Sequence, residues 1–161
     1  LAVGVGRVLA GWQVRVMIRT LAMDRRVARE SVVVSWRPID VPRERQPGGS
    51  GVWVYEVRVH NPGRLPIDEV RVDWLFARPV QLSRSGVLEP PTTLLELFTP
   101  VLLGGHQHRW ERRLVIGDAE AEGTLRNAFA RVHFVDVEGN AQTNYWPRSS
   151  RSRIPTWAGD P

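Results

Sequence analysis

Four histidines, six closely paired carboxylates and one serine set between glycines are the residues of this 161-residue chain whose types support catalysis or metal binding. His106 and His108 stand two apart, so on an extended strand both leave the same face and can meet one metal ion, with His60 or His133 arriving from another strand. No carboxylate ligand adjoins the pair, and a polar strand start after "GG" accounts for it equally well. As a general base, either histidine needs a nucleophile or carboxylate delivered by the fold. A hydrolase or metal-dependent enzyme using His106 and His108 is therefore one expectation, but no catalytic residue, metal ligand or cofactor is assigned.

The acid pairs Asp68 and Glu69, Glu120 and Glu122, and Asp136 and Glu138 have the residue types for glycoside hydrolysis, which needs two carboxylates at a fixed separation. Each pair sits at a turn or strand end, where solvated acids are common, and the turn explanation is preferred. "VGVGRVLAG" places Leu9 where the third glycine of a dinucleotide fingerprint belongs. "GGSGV" has Val52 where a nucleophile elbow around Ser50 requires glycine.

Seven tryptophans are a high number for this length. Trp53, Trp74 and Trp110 fall on alternating apolar faces and belong to a core, whereas Trp12, Tyr145, Trp146 and Trp157 lie near ends or turns. Together with the tail arginines, Tyr145, Trp146, Arg148, Arg151, Arg153 and Trp157 form the candidate partner-binding set.

All 22 basic residues are Arg, a skew that folding does not require and that is read as GC-rich codon bias. The net charge of +5 is unevenly placed: residues 1–45 carry nine Arg against Asp24, Glu30, Asp40 and Glu44, while residues 46–147 carry ten Arg against twelve acids. The flanks are thus basic and the centre slightly acidic. Arg25, Arg26 and Arg29, with the C-terminal tail, could hold phosphates of nucleic acid or an anionic membrane face, in a salt-dependent way. The absence of Cys rules out disulfides and thiolate metal sites. It makes a reducing, cytoplasmic compartment the expected one, with a peripheral membrane position as the variant. No run of about 18 apolar residues is present. The first residue is Leu, which suggests a fragment, a processed chain or an alternative start, with Met17 and Met23 as other starts.

These groups need elements to position them. Residues 17–30 are expected to be helical, and the β-branched "SVVVSW" to be a first strand, so residues 1–36 form an N-terminal flank, helical or extended. Residues 37–51, with three Pro and three Gly, read as a linker or open loop. From residue 52 the period becomes two: Trp53, Tyr55, Val57 and Val59 share a face, and after "NPGRLP" so do Val70, Val72, Trp74 and Phe76. This stretch is expected to be a hairpin. A strand at 93–103 should break or bend at Pro100 near an edge, and residues 106–116 and 128–137 alternate again. "DAEAEGTLRNAF" is a short helix with Asp118 as cap, and "EGN" turns into "AQTNYW". Seven or eight short strands with little helix between them predict a mainly β fold, an antiparallel Ig-like β-sandwich over 52–147, followed by a basic tail at 148–161.

Three stretches, "RRVARESVVVSW", "VRVHNPGRLPIDEVRVDW" and "VHFVDVEGN" followed by "YWPR", resemble a group of uncharacterised actinobacterial proteins. In that group a helix, often after membrane segments, leads into an Ig-like β-sandwich. Here no membrane segment precedes the helix, and "AQTN" intervenes where the group runs directly into Trp. The resemblance carries over no catalytic residue and implies a non-enzymatic accessory or interaction domain. The leading expectation is a non-catalytic binding or scaffolding module in a protein assembly, acting through a strand edge or the aromatic end around Trp146. A peripheral membrane or nucleic-acid binder using the Arg-rich flanks is the second.

Overall fold

A computed structural model describes residues 23, 26, 32–42 and 49–147. Eight strands, paired antiparallel throughout, make up nearly all of it: β1 (Val33–Asp40), β2 (Ser50–His60), β3 (Ile67–Arg84), β4 (Val87–Leu88), β5 (Thr92–Leu102), β6 (Gln107–Gly117), β7 (Phe129–Val135) and β8 (Ala141–Trp146). A single six-residue helix, α1 (Ala121–Arg126), lies between β6 and β7. The mainly antiparallel β class therefore holds. Of the N-terminal stretch expected to be helical, Met23 and Arg26 are described and both are helical, and the remainder lies outside the described residues.

The strands form one curled sheet in the order β1-β2-β6-β3-β7-β8, with β4 and β5 attached to β3. Its 18-residue strand β3 takes part in both halves: residues 67–75 pair with β5 and β7, and Gln81 and Leu82 pair with β6. Between these segments Ala77, Arg78 and Pro79 are exposed, and the register to β5 shifts between Leu75 and Val80. A proline there removes one ladder donor where the strand turns from one half into the other.

The stretch from 52 to 76 is not a hairpin. β2 pairs with β1 and β6, β3 pairs elsewhere, and "NPGRLP" carries the chain across from one half of the sheet to the other. A six-residue connection with two prolines lacks the two-residue Asn-Gly chemistry that holds adjacent strands together. Asn61, 2% exposed, braces the crossing. Its amide donates to the carbonyls of Leu65 (2.9 Å) and Leu102 (3.2 Å), and its Oδ1 accepts the Gly63 N–H (3.0 Å). Its backbone bonds His106 and Gly105 in the β5–β6 turn. Gly104 in that turn lies so close to the Arg64 backbone that a Cβ would sit 2.3 Å from its carbonyl.

Alternation along each strand explains the core. Val57, Val59, Val70, Val72, Trp74, Phe76, Leu97, Leu114 and Phe134 are all almost fully buried, and they come from both halves of the sheet. Trp74 is at the centre, with ring centroids 4.7 Å from Phe76, 5.7 Å from Tyr55 and 6.0 Å from Trp36. Burial pushes the Tyr55 phenol above its ordinary pKa.

Several local expectations change. β1 continues through Pro38 to Asp40, so the stretch read as a linker from residue 37 begins as strand, and residues 43–48 lie outside the described residues. Val32 and Val34 are buried in the same core as β2, so the first strand belongs to the domain rather than to a flank. β5 runs unbroken through Pro100, and among the described residues it lies at an edge, pairing only with β3. The residue before α1 is Glu120, with no side-chain cap, rather than Asp118.

Because Trp74 fills the centre of one continuous core, Trp74→Ala should lower unfolding free energy by about 3–5 kcal/mol, read as a shift in the urea midpoint. An unchanged midpoint would mean that the two halves do not depend on this contact.

Candidate functional site

The outer face of β5, β3, β7 and β8 gathers the most chemistry. Cross-strand register sets Glu96, Asp73, Arg131 and Tyr145 in one row and Phe98, Arg71, His133 and Thr143 in the next. Asp73 has a side chain only 4% exposed and is therefore a buried charge that must be compensated. His133 Nε2 lies 3.1 Å and Arg131 Nη2 3.4 Å from its Oδ2, and Arg71 Nε lies 3.2 Å from its Oδ1. The other ring nitrogen, His133 Nδ1, lies 3.0 Å from the Thr143 hydroxyl, so the imidazole bridges Asp73 and Thr143.

Carboxylate, imidazole and hydroxyl in series is the order used to activate a nucleophile. Here the three groups are side-by-side neighbours on one sheet face, and Asp73 is already shared with two guanidiniums. The buried carboxylate is thus compensated by two guanidiniums as well as by the imidazole.

β5 also presents large apolar side chains to solvent. Phe98 is 58% and Val101 48% exposed, and Leu103, just beyond the strand, is 54%. Leu65, 52% exposed, is held at the same end because Asn61 bonds both the Leu65 and Leu102 carbonyls. The opposite face of β5, Leu95, Leu97, Thr99 and Leu102, is buried. Among the described residues, β3 is the only strand paired with β5.

The outer face of β1, β2 and β6 has a different centre. Glu56 accepts hydrogen bonds from Arg37 Nε (3.0 Å) and Arg58, with Arg109 Nη1 3.6 Å from its other oxygen. The Arg58 hydrogen bond, followed by that of Arg37, holds the Glu56 carboxyl below the ordinary range against an opposing effect of burial.

The structure separates the histidines singled out by sequence. His106 lies in the turn before β6, its Nδ1 2.8 Å from the Gly104 carbonyl, while His108 lies on β6 with its ring centroid 4.7 Å from that of Trp110. They do not share a strand face, and His60 and His133 sit on strands of opposite halves. Among the described residues, no group of three or more His, Cys, Asp or Glu is placed to hold a metal ion. Asp136 is a turn residue: its Oδ1 accepts the N–H groups of Glu138 and Asn140, both at 3.0 Å. Tyr145 packs on Phe129 (6.1 Å between centroids), and Trp146 packs against the main core, so these two aromatics of the candidate partner set are half-buried on opposite faces of β8. Arg148, Arg151, Arg153 and Trp157 lie outside the described residues, as do Arg25 and Arg29, whereas Arg26 is exposed. No described helix is long and apolar enough to cross a membrane.

Sequence reasoning missed both Asp73–His133 and the β5 surface. The first joins residues 60 apart, which no local pattern reveals. The second had a signal in "LLELFTPVL", where Phe98 follows Glu96 onto the outward face.

No family model matches the chain, and no curated protein matches it. Solved structures overlap it partially. A Bordetella pertussis protein described as a candidate ApaA shares 17% identity, with 71% of this chain and 87% of that one covered and a TM-score of 0.45. A structural-genomics X-ray structure shares 11% identity, covering 74% and 83%, with a TM-score of 0.43. A protein from Archaeoglobus fulgidus also shares 11%, covering 72% and 91%, at 0.29.

Two measurements check these charge centres. Asp73→Ala, by removing the buried carboxylate that Arg71, Arg131 and His133 share, should cost about 3 kcal/mol of stability in denaturant titration. Because the Glu56 pKa is lowered on folding, its contribution is complete above the ordinary glutamate pKa and is lost as pH falls through the lowered value. Glu56→Gln should therefore make stability less sensitive to pH in that acidic window, and an identical slope in both proteins would contradict the assignment.

Proposed function

We propose that this chain is a non-catalytic binding module that receives an extended segment of a protein partner along β5. The observation that carries this reading is an 11-residue edge strand whose outer face exposes Phe98, with Val101 and Leu103 also exposed towards its end. An open edge offers backbone donors and acceptors to a further strand, and alternate side chains of that strand reach the same apolar surface. Burying a phenylalanine of this exposure contributes about 1.5–3 kcal/mol, enough for one anchor residue to dominate binding.

Glu96 and Pro100 flank Phe98, the first a charge and the second lacking an N–H. Both discourage indiscriminate pairing and leave Phe98 as the anchor. Arg71, next to Phe98 in the register and 48% exposed, suits a partner segment with a carboxylate beside its apolar residue.

A photoreactive amino acid at position 98 should crosslink a defined partner in cells, and Phe98→Asp should weaken capture of that partner about tenfold or more. The same probe at Val87, an exposed apolar residue on β4, serves as the comparison. Equal crosslinking from both positions, or none from 98, would rule the edge out.

A further inference from the structure

β3 and β6 pair only at Gln81↔Val115 and Leu82↔Leu114, and beyond those residues the two strands part. β3 continues as Ser83 and Arg84 into its turn with β4, while β6 stays on β2 through Arg113, Arg112 and Glu111. The fork encloses a cleft of about 410 Å³ lined by Leu82, Ser83, Arg84, Ser85, Glu111, Arg112 and Arg113. Three arginines and two serines thus line a gap between strands, with Arg84 close enough to Arg112 to act on its charge.

We propose that this cleft is a binding site for a phosphate monoester, with Arg84, Arg112 and Arg113 as its cationic walls and Ser83 and Ser85 as hydroxyl donors. The site is separate from the β5 edge. Guanidinium forks match the paired oxygens of a phosphate dianion, and the hydroxyls of Ser83 at the end of β3 and Ser85 in the following turn complete the set of donors. Each wall residue has a stated position. Arg112 is half-buried and turns back so that its Nη1 donates to the Glu111 carbonyl at 2.8 Å, which fixes the guanidinium at the fork. Its pKa is lowered, first by burial and then by the positive charge of Arg84. Two like charges held at one partly desolvated place are an electrostatic cost that a bound dianion removes.

The cleft also contains its own competitors. Glu111 is part of the lining, and Glu89 pairs with Arg84 at 3.2 Å. The Glu89 carboxylate is the internal counter-ion that a ligand must displace. Removing it should therefore strengthen binding, a sign opposite to that of removing the arginines.

The test uses the whole chain with glycerol phosphate in solution, followed by calorimetry and by amide NMR shifts, and in parallel with phosphatidylcholine vesicles with and without phosphatidic acid. Glycerol phosphate should shift the amides of residues 83–85 and 111–113. The double variant R84Q/R112Q should weaken binding about tenfold or more, while R64Q, a matched charge loss in the exposed β2–β3 loop, leaves it unchanged. E89Q should tighten it severalfold, which keeps the idea testable if R84Q/R112Q fails to fold. Retention only on phosphatidic-acid vesicles assigns the ester to a lipid headgroup, and binding in solution assigns it to a soluble compound. Either supports the site when R84Q/R112Q abolishes it. Absence of binding in both arms, or equal weakening by R64Q, overturns it.

Discussion

Burial of Trp74 is the constraint on which the rest of the structure depends. An indole with no exposed surface needs apolar neighbours on every side, and a single sheet can supply them on one side only. The sheet therefore curls until Tyr55 and Trp36, from β2 and β1, meet Trp74 and Phe76 from β3. The Trp74 Nε1 has no hydrogen-bond partner among the described residues, an omission that costs about 1–3 kcal/mol and is outweighed by the surrounding ring contacts. Position 74 is thus held by packing alone.

Once the inner faces are committed to the core, polar chemistry is confined to the two outer faces and the places where strands part. Each outer face is organised around one carboxylate among guanidiniums: Glu56 with Arg37, Arg58 and Arg109, and Asp73 with Arg71 and Arg131. Such sharing is natural for Arg, whose planar fork presents donors in fixed directions, and less so for the compact ammonium of Lys. Whatever produced the all-Arg composition, the folded domain draws on that geometry. The fork between β3 and β6 differs because its arginines line a cleft where two strands part rather than surrounding one carboxylate.

The β class, most strand positions and the inward residues of β2 and β3 were legible in the sequence because period-two alternation is a local signal. Partnership was not. "VWVYEVRVH" and "EVRVDWLF" look like adjacent strands, and only the bonds from Asn61 to Leu65 and Leu102 show why they part. Pro38 and Pro42 made residues 37–42 look like loop, yet β1 is an edge strand and its proline falls beside a register irregularity between Pro38 and Asp40. Tyr145 and Trp146 stood out by residue type near the end of the chain, but adjacent strand residues face opposite ways, so they were divided between two packing environments. Asp73 falls on the polar face of β3 by its alternation with Val72 and Trp74. Its burial comes from neighbours on β7, contributed by sequence some sixty residues later.

The long strand β3 also has a bearing on how the chain is made. During synthesis, β1 and β2 can pair as soon as they emerge, but the pairing partners of β3 all lie downstream of it, first β4 and β5 and then β6 and β7. Its exposed apolar side chains must wait for partners encoded downstream, and the contacts that close the domain span much of its length. The nascent chain therefore passes through a stage in which the backbone of β3 awaits both its flanking strands, which β5 and β7 supply in turn.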